Sequence, residues 1–90
     1  MSKWIHIQTY DEYYDFDREL YSMPDEGNTS VDMRLTFNVE TKICTYTLSL
    51  HNDDGQTRDW EEANYIPWAV GLAMLAADGT EVPEELKAIT

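Results

Sequence analysis

Carboxylates are the side chains best placed to do chemistry in this 90-residue sequence: 18 Asp and Glu stand against 6 Lys and Arg, a formal charge of −12. They gather in two stretches. The first holds Asp11, Glu12, Asp15, Asp17, Glu19, Asp25 and Glu26, the second Asp53, Asp54, Asp59, Glu61 and Glu62. Tyr10, Tyr13, Tyr14 and Tyr21 interleave with the first, Trp60 and Tyr65 with the second. Paired carboxylates can exchange protons with a substrate, but among 18 of them neighbours arise by chance. No nucleophile signature accompanies them. His6, His51, Cys44 and the serines fall on different predicted elements, and Cys44 sits at an inward strand position that suits a buried, inert thiol. Asn52, Asp53, Asp54 and Gly55 have the composition of a calcium loop, yet placing Gly55 at the sixth position puts Leu50 at the first, where an Asp belongs. No catalytic residue, metal or cofactor is therefore expected.

The charge excludes some partners more firmly than it selects others. A pI near 4.2 disfavours direct contact with nucleic acid or an anionic membrane and favours a basic protein surface. A single cysteine forbids an intramolecular disulfide framework and suits a reducing compartment. No apolar run approaches the roughly 20 residues of a membrane span, and the start, MSKWIHIQ, lacks a signal-peptide core, so a cytoplasmic protein is expected. With 42% hydrophobic and 12% aromatic residues the chain folds as one domain over residues 1–90, although a chain this short buries only about 60–65% of its unfolded surface.

The elements that must position the acids follow from periodicity. Lys3 to Gln8 alternates, with Ile5 and Ile7 on one side and Trp4, His6 and Gln8 on the other, and reads as a strand. Thr9 to Met23, TYDEYYDFDRELYSM, fits a helix: at about 100° per residue Tyr13, Phe16, Leu20 and Met23 share a stripe, with Asp11, Glu12, Asp15 and Glu19 opposite. Such a helix would carry like charges about 5–6 Å apart, with only Arg18 to offset them. Val31 to Asn38 and Ile43 to Leu50 alternate cleanly and predict a hairpin joined through Val39 to Lys42, its outer face polar with Asp32, Arg34, Thr, Ser and Asn. Trp60 to Asn64 reads as a short turn, because Pro67 forces Ile66 out of helical geometry. A helix then starts at Pro67, and its Trp68 to Ala77 stretch shows no polar face, so it is covered either by its own protein or by another chain. Trp68, Leu72, Met74 and Leu75 are the candidates for self-association as a homodimer. Asp78-Gly79 ends that helix, and Pro83 opens a last helical turn anchored by Leu86 and Ile89. The expected fold is α+β: a small antiparallel sheet in the order β-α-β-β-α with helices packed on one face.

Size, charge and the DEYYDFDREL stretch together resemble the small acidic inhibitors that imitate nucleic acid, among them phage-encoded anti-restriction and anti-CRISPR proteins and inhibitors of DNA-repair enzymes. The resemblance covers the first third of the chain and the 53–62 loop. It implies a non-catalytic inhibitor whose carboxylates stand in for phosphates against the Lys and Arg of a nucleic-acid-handling protein in the host-cell cytoplasm, with Tyr14 and Tyr21 as anchors. Two other classes stay open. An immunity or antitoxin protein would cover the basic site of a toxic nuclease by the same physics, and a structural or assembly subunit would use the apolar 68–77 helix instead.

Overall fold

The computed structural model describes residues 3–23, 29–52 and 60–89, and five strands in it form a single antiparallel sheet. These are β1 (Ile5–Thr9), β2 (Tyr13–Met23), β3 (Thr29–Asn38), β4 (Ile43–Asn52) and β5 (Trp60–Ile66), each beside its chain neighbour in the order β1-β2-β3-β4-β5. Two short helices follow, α1 (Trp68–Ala76) and α2 (Glu84–Lys87). The expected β-α-β-β-α order is thereby corrected: no helix separates the first two strands, and the sheet precedes both helices.

The largest correction falls on Thr9 to Met23. This stretch satisfies two periods at once, since Phe16 belongs to a helical stripe with Tyr13 and Leu20 and to a strand face with Tyr14. Three forces favour the strand. Tyr and Phe are strand formers, a helix would stack Asp11, Asp15 and Glu19 at four-residue intervals, and the neighbouring strand offers a long pairing edge. Backbone pairs run from Tyr13 opposite Asn38 to Met23 opposite Thr29, with one irregularity between Glu19 and Tyr21. Arg34 then stands across from Asp17, a favourable cross-strand charge pair that a helix could not make.

The β3–β4 hairpin matches the expected alternation and connection. Its turn is held by the Asn38 side-chain oxygen, which accepts from the N–H groups of Glu40 at 3.0 Å and Thr41 at 2.9 Å, while Lys42 takes a positive φ of 63°. The segment from Trp60, expected as a turn, is instead the edge strand β5, paired from Leu50 opposite Trp60 to Cys44 opposite Ile66. The restriction that Pro67 places on Ile66 is met by extended backbone.

One face of the sheet carries the core. Tyr14, Phe16, Leu35, Phe37 and Cys44 are buried with Trp4, Leu75, Val82 and Leu86. Phe37 sits edge-on to both Phe16 and Trp68, with ring centroids 5.8 and 5.2 Å apart. Gly71 of α1 lies directly over Phe37 and Cys44, which is why the helix has glycine there: an added Cβ would come 2.6 Å from the Cys44 Sγ. Just ahead of β1 the side chain of Trp4 enters the core, its indole N–H donating to the Met74 carbonyl at 2.9 Å, while Ile5 and Ile7 of β1 stay exposed. α1 turns Gly71 and Leu75 inward and leaves Val70 and most of its alanines outside. α2 places Leu86 in the core, and its carbonyl accepts the Trp68 indole N–H at 2.9 Å. No helix among the described residues is long and apolar enough to cross a membrane.

Candidate functional site: the open face of the sheet

Because side chains alternate across a strand, the face opposite the core is fixed by register. Three transverse rows cross β2 to β5 on that side: Asp15, Thr36, Thr45, Tyr65; then Asp17, Arg34, Thr47, Ala63; then Glu19, Asp32, Ser49, Glu61. Asp15, Asp17 and Glu19 therefore form a line along β2, about 6.6–6.8 Å between successive side chains, with neighbouring strands about 4.8 Å away. Asp32 and Glu61 extend it across the sheet. Arg34 is the one Lys or Arg at the outward positions of β2 to β5 among the described residues.

The arrangement is electrostatically costly. Glu19 and Asp32 stand directly opposite each other, a like-charge pair that weakens a sheet by a few tenths of a kcal/mol or more. The His51 Nε2 lies 3.5 Å from the Asp32 carboxylate. Asp17, Asp32, Arg34, Thr47, Ser49, His51 and Glu61 line a depression of about 150 Å³. Its floor is Thr47, 9% exposed although its neighbours on this face are wetter. Arg18, expected to neutralise the acidic row, does not face it. Its side chain lies on the core side, 3.6 Å from Asp78 and over the Trp4 ring.

A second acidic group sits at the end of the sheet. Asp11 and Glu12 lie between β1 and β2, and the Glu12 carbonyl accepts the Val39 N–H at 2.8 Å. That contact draws the β3–β4 turn alongside, so that the Glu40 carboxyl shares a hydrogen bond with that of Glu12. Together with burial and the charges of Glu40 and Asp11, this raises the Glu12 pKa above its ordinary value.

The other sequence candidates divide. Asp25, Glu26, Asp53, Asp54 and Asp59 lie outside the described residues, as does the side chain of Tyr21. Glu62 points to the core side of β5, away from Glu61, because the two are adjacent in a strand. Tyr14 is corrected from surface anchor to core residue: it is buried, and its hydroxyl donates to the Glu85 carboxylate of α2, which raises the phenol pKa. Leu75 is wholly buried, and Trp68, Leu72 and Met74 are partly buried against the core. Asp32 and Glu40 join the acidic groups without having stood out in the sequence. Asp32 was legible as an outward strand residue, but only pairing of β3 with β2 brings it beside Glu19.

Burial pushes the Cys44 thiol up to about 12, leaving it protonated and unreactive at neutral pH. Among the described residues no three His, Cys, Asp or Glu side chains converge to hold a metal. Fold and surface define a class in structural terms: a five-stranded antiparallel meander with one face under helices and the other open and acidic. The chain matches no family model, no curated protein and no solved structure.

Proposed function

We propose that this chain is a non-catalytic acidic inhibitor whose open sheet face binds a basic, nucleic-acid-handling protein, its carboxylates occupying the places of phosphates. The observation that supports this reading is the line Asp15, Asp17, Glu19, widened by Asp32 and Glu61, with Arg34 the one Lys or Arg at the outward positions of β2 to β5 among the described residues. A solubilising coat needs no such order, and scattering the same charges would avoid the Glu19–Asp32 opposition. A flat acidic array on a rigid sheet steers a basic partner quickly and in a defined orientation. Direct nucleic-acid binding is opposed by the same charge, and the partner is a protein.

Capture from a host lysate at low salt tests the idea, with the wild-type chain beside a variant carrying Asp15→Asn, Asp17→Asn and Glu19→Gln. These replacements keep side-chain shape and leave the core face untouched. A basic nucleic-acid-binding protein retained by the wild type and lost by the variant is the expected result. Equal retention by both, with unchanged circular dichroism, would remove the sheet face as the binding site.

A further inference from the structure

Among the described residues, strand β5 is hydrogen-bonded on one side only, where β4 lies, and its outer edge is an open backbone ladder. Natural sheets blunt such edges with lysine, proline, bulges or brevity. The opposite edge follows that rule: β1 has five residues and an irregular register between His6 and Gln8. By contrast β5 has seven residues in unbroken register, without lysine, proline or bulge and with Glu61 and Glu62 as its only charges, and every side chain from Trp60 to Tyr65 is exposed. Trp60 and Tyr65 are 47% and 81% exposed, a large apolar cost for a strand left alone in water.

The sequence of β5 is also complementary to itself. An antiparallel pairing of two copies about a twofold axis through Ala63 sets Trp60 against the partner's Ile66, Glu61 against the partner's Tyr65 and Glu62 against the partner's Asn64. No carboxylate directly opposes another. Shifting the axis by one residue, to Glu62, would place two glutamates face to face. The centred register joins the full length of both strands and closes roughly six to eight backbone hydrogen bonds, whichever alternate residues point outward. A twofold perpendicular to the sheet keeps both open faces on the same side, so the row that ends in Glu61 in one copy continues into the row of Tyr65, Thr45, Thr36 and Asp15 in the other.

We infer that the exposed edge of β5 is a self-association site, through which two copies join their sheets into one ten-stranded antiparallel sheet with a continuous acidic face. This is independent of the basic partner proposed above, and the two are separable by salt. Two chains of −12 repel each other, and in this register Glu62 lies diagonal to its own copy, so added salt strengthens the dimer. Binding to a basic protein weakens under the same change.

The test combines mass and cross-linking. Light scattering on the wild-type chain at rising concentration, in low and in moderate salt, should show the 10.5 kDa mass doubling, with the dimer forming at lower concentration in the higher salt. Ala63→Cys places a thiol opposite its own copy at a cross-strand separation of about 4.5–5.5 Å, close enough for a disulfide after slight adjustment. Mild oxidation should convert this variant to a covalent dimer at least tenfold faster than Val70→Cys, which is exposed on α1, while Cys44 stays protected by burial. A third variant, Ala63→Asp, opposes two new charges at the axis and should return the mass to monomer without altering circular dichroism. A wild-type mass that stays monomeric at all concentrations and salts, or equal cross-linking through positions 63 and 70, would overturn the inference.

Discussion

Replacing Gly71 with alanine sets two familiar effects against each other at one atom. In an exposed helix the change stabilises by about 1 kcal/mol, because alanine is the better helix former. At Gly71 the new methyl would lie 2.6 Å from the Cys44 Sγ, 2.9 Å from the Phe37 Cε1 and 3.0 Å from its Cζ, well inside contact distance. Neither neighbour can retreat. Phe37 is fully buried and fixed edge-on between Phe16 and Trp68, and Cys44 is 2% exposed on the strand beneath. Overpacking of this kind costs about 1–3 kcal/mol, and so close a contact with a fixed ring belongs near the upper end. The net expectation for Gly71→Ala is a loss of about 1–2 kcal/mol. Urea unfolding followed by tryptophan fluorescence measures it, and the thermal midpoint should fall by about 4–8 °C for each kcal/mol in a domain of this size. The double variant with Cys44→Ala removes the nearest atom, so its loss should be smaller than the sum of the single losses by about 1 kcal/mol. Stabilisation by Gly71→Ala, or strict additivity in the double variant, would refute the packing of α1 against β3 and β4.

Further expectations follow from individual side chains. Cys44 should resist thiol reagents at pH 8 in the folded protein and react fully in denaturant. Since its folded pKa is about 12 against an ordinary 9.0, its contribution to stability is intact below pH 9 and declines as pH rises toward 12, by up to about 1.4 kcal/mol per unit. Cys44→Ala should flatten that alkaline loss in pH-dependent unfolding. Tyr14→Phe removes the hydrogen bond from β2 to Glu85 of α2 and should cost about 1 kcal/mol in urea unfolding, with circular dichroism preserved. The Asp78 carboxylate accepts from the Thr80 hydroxyl at 2.6 Å and from the Trp4 N–H at 3.3 Å, and has Arg18 nearby, which together hold its pKa below the ordinary 3.8. Its contribution is therefore present above about pH 4 and lost as pH falls through the lower folded value, and Asp78→Asn should remove that part of the acid transition.

How far the sequence could be read depended on whether a stretch satisfied one period or two. Val31 to Asn38 and Ile43 to Leu50 fit only the strand period, and the hairpin came out in register. Thr9 to Met23 fitted both periods, and what decided between them was the long pairing edge of β3, a contact that no local pattern contains. The same ambiguity moved the functional reading. The acids were expected on a helix with Arg18 among them. As a strand, the stretch sends Arg18 to the Asp78 side and groups Asp15, Asp17 and Glu19 on the other, with Asp32 and Glu61 added by pairing. Trp60 to Asn64 was expected as a turn because Pro67 bars a helix through Ile66, but the same restriction is met by a strand, and its glutamates and asparagine stay exposed in β5. Tyr14 resembled a surface anchor because it sits among acids, yet alternation with Phe16 carries it into the core.

The decisive measurement for phosphate mimicry is competition on a captured partner. A fluorescent DNA duplex bound to that protein should be displaced by the wild-type chain, with an apparent affinity that falls steadily as salt is raised through the physiological range, because exposed charges are screened over about 8–10 Å. The Asp15→Asn, Asp17→Asn, Glu19→Gln variant should displace it at least tenfold less well. Displacement that is indifferent to salt, or undiminished in the variant, would contradict the assignment of the open sheet face as the site.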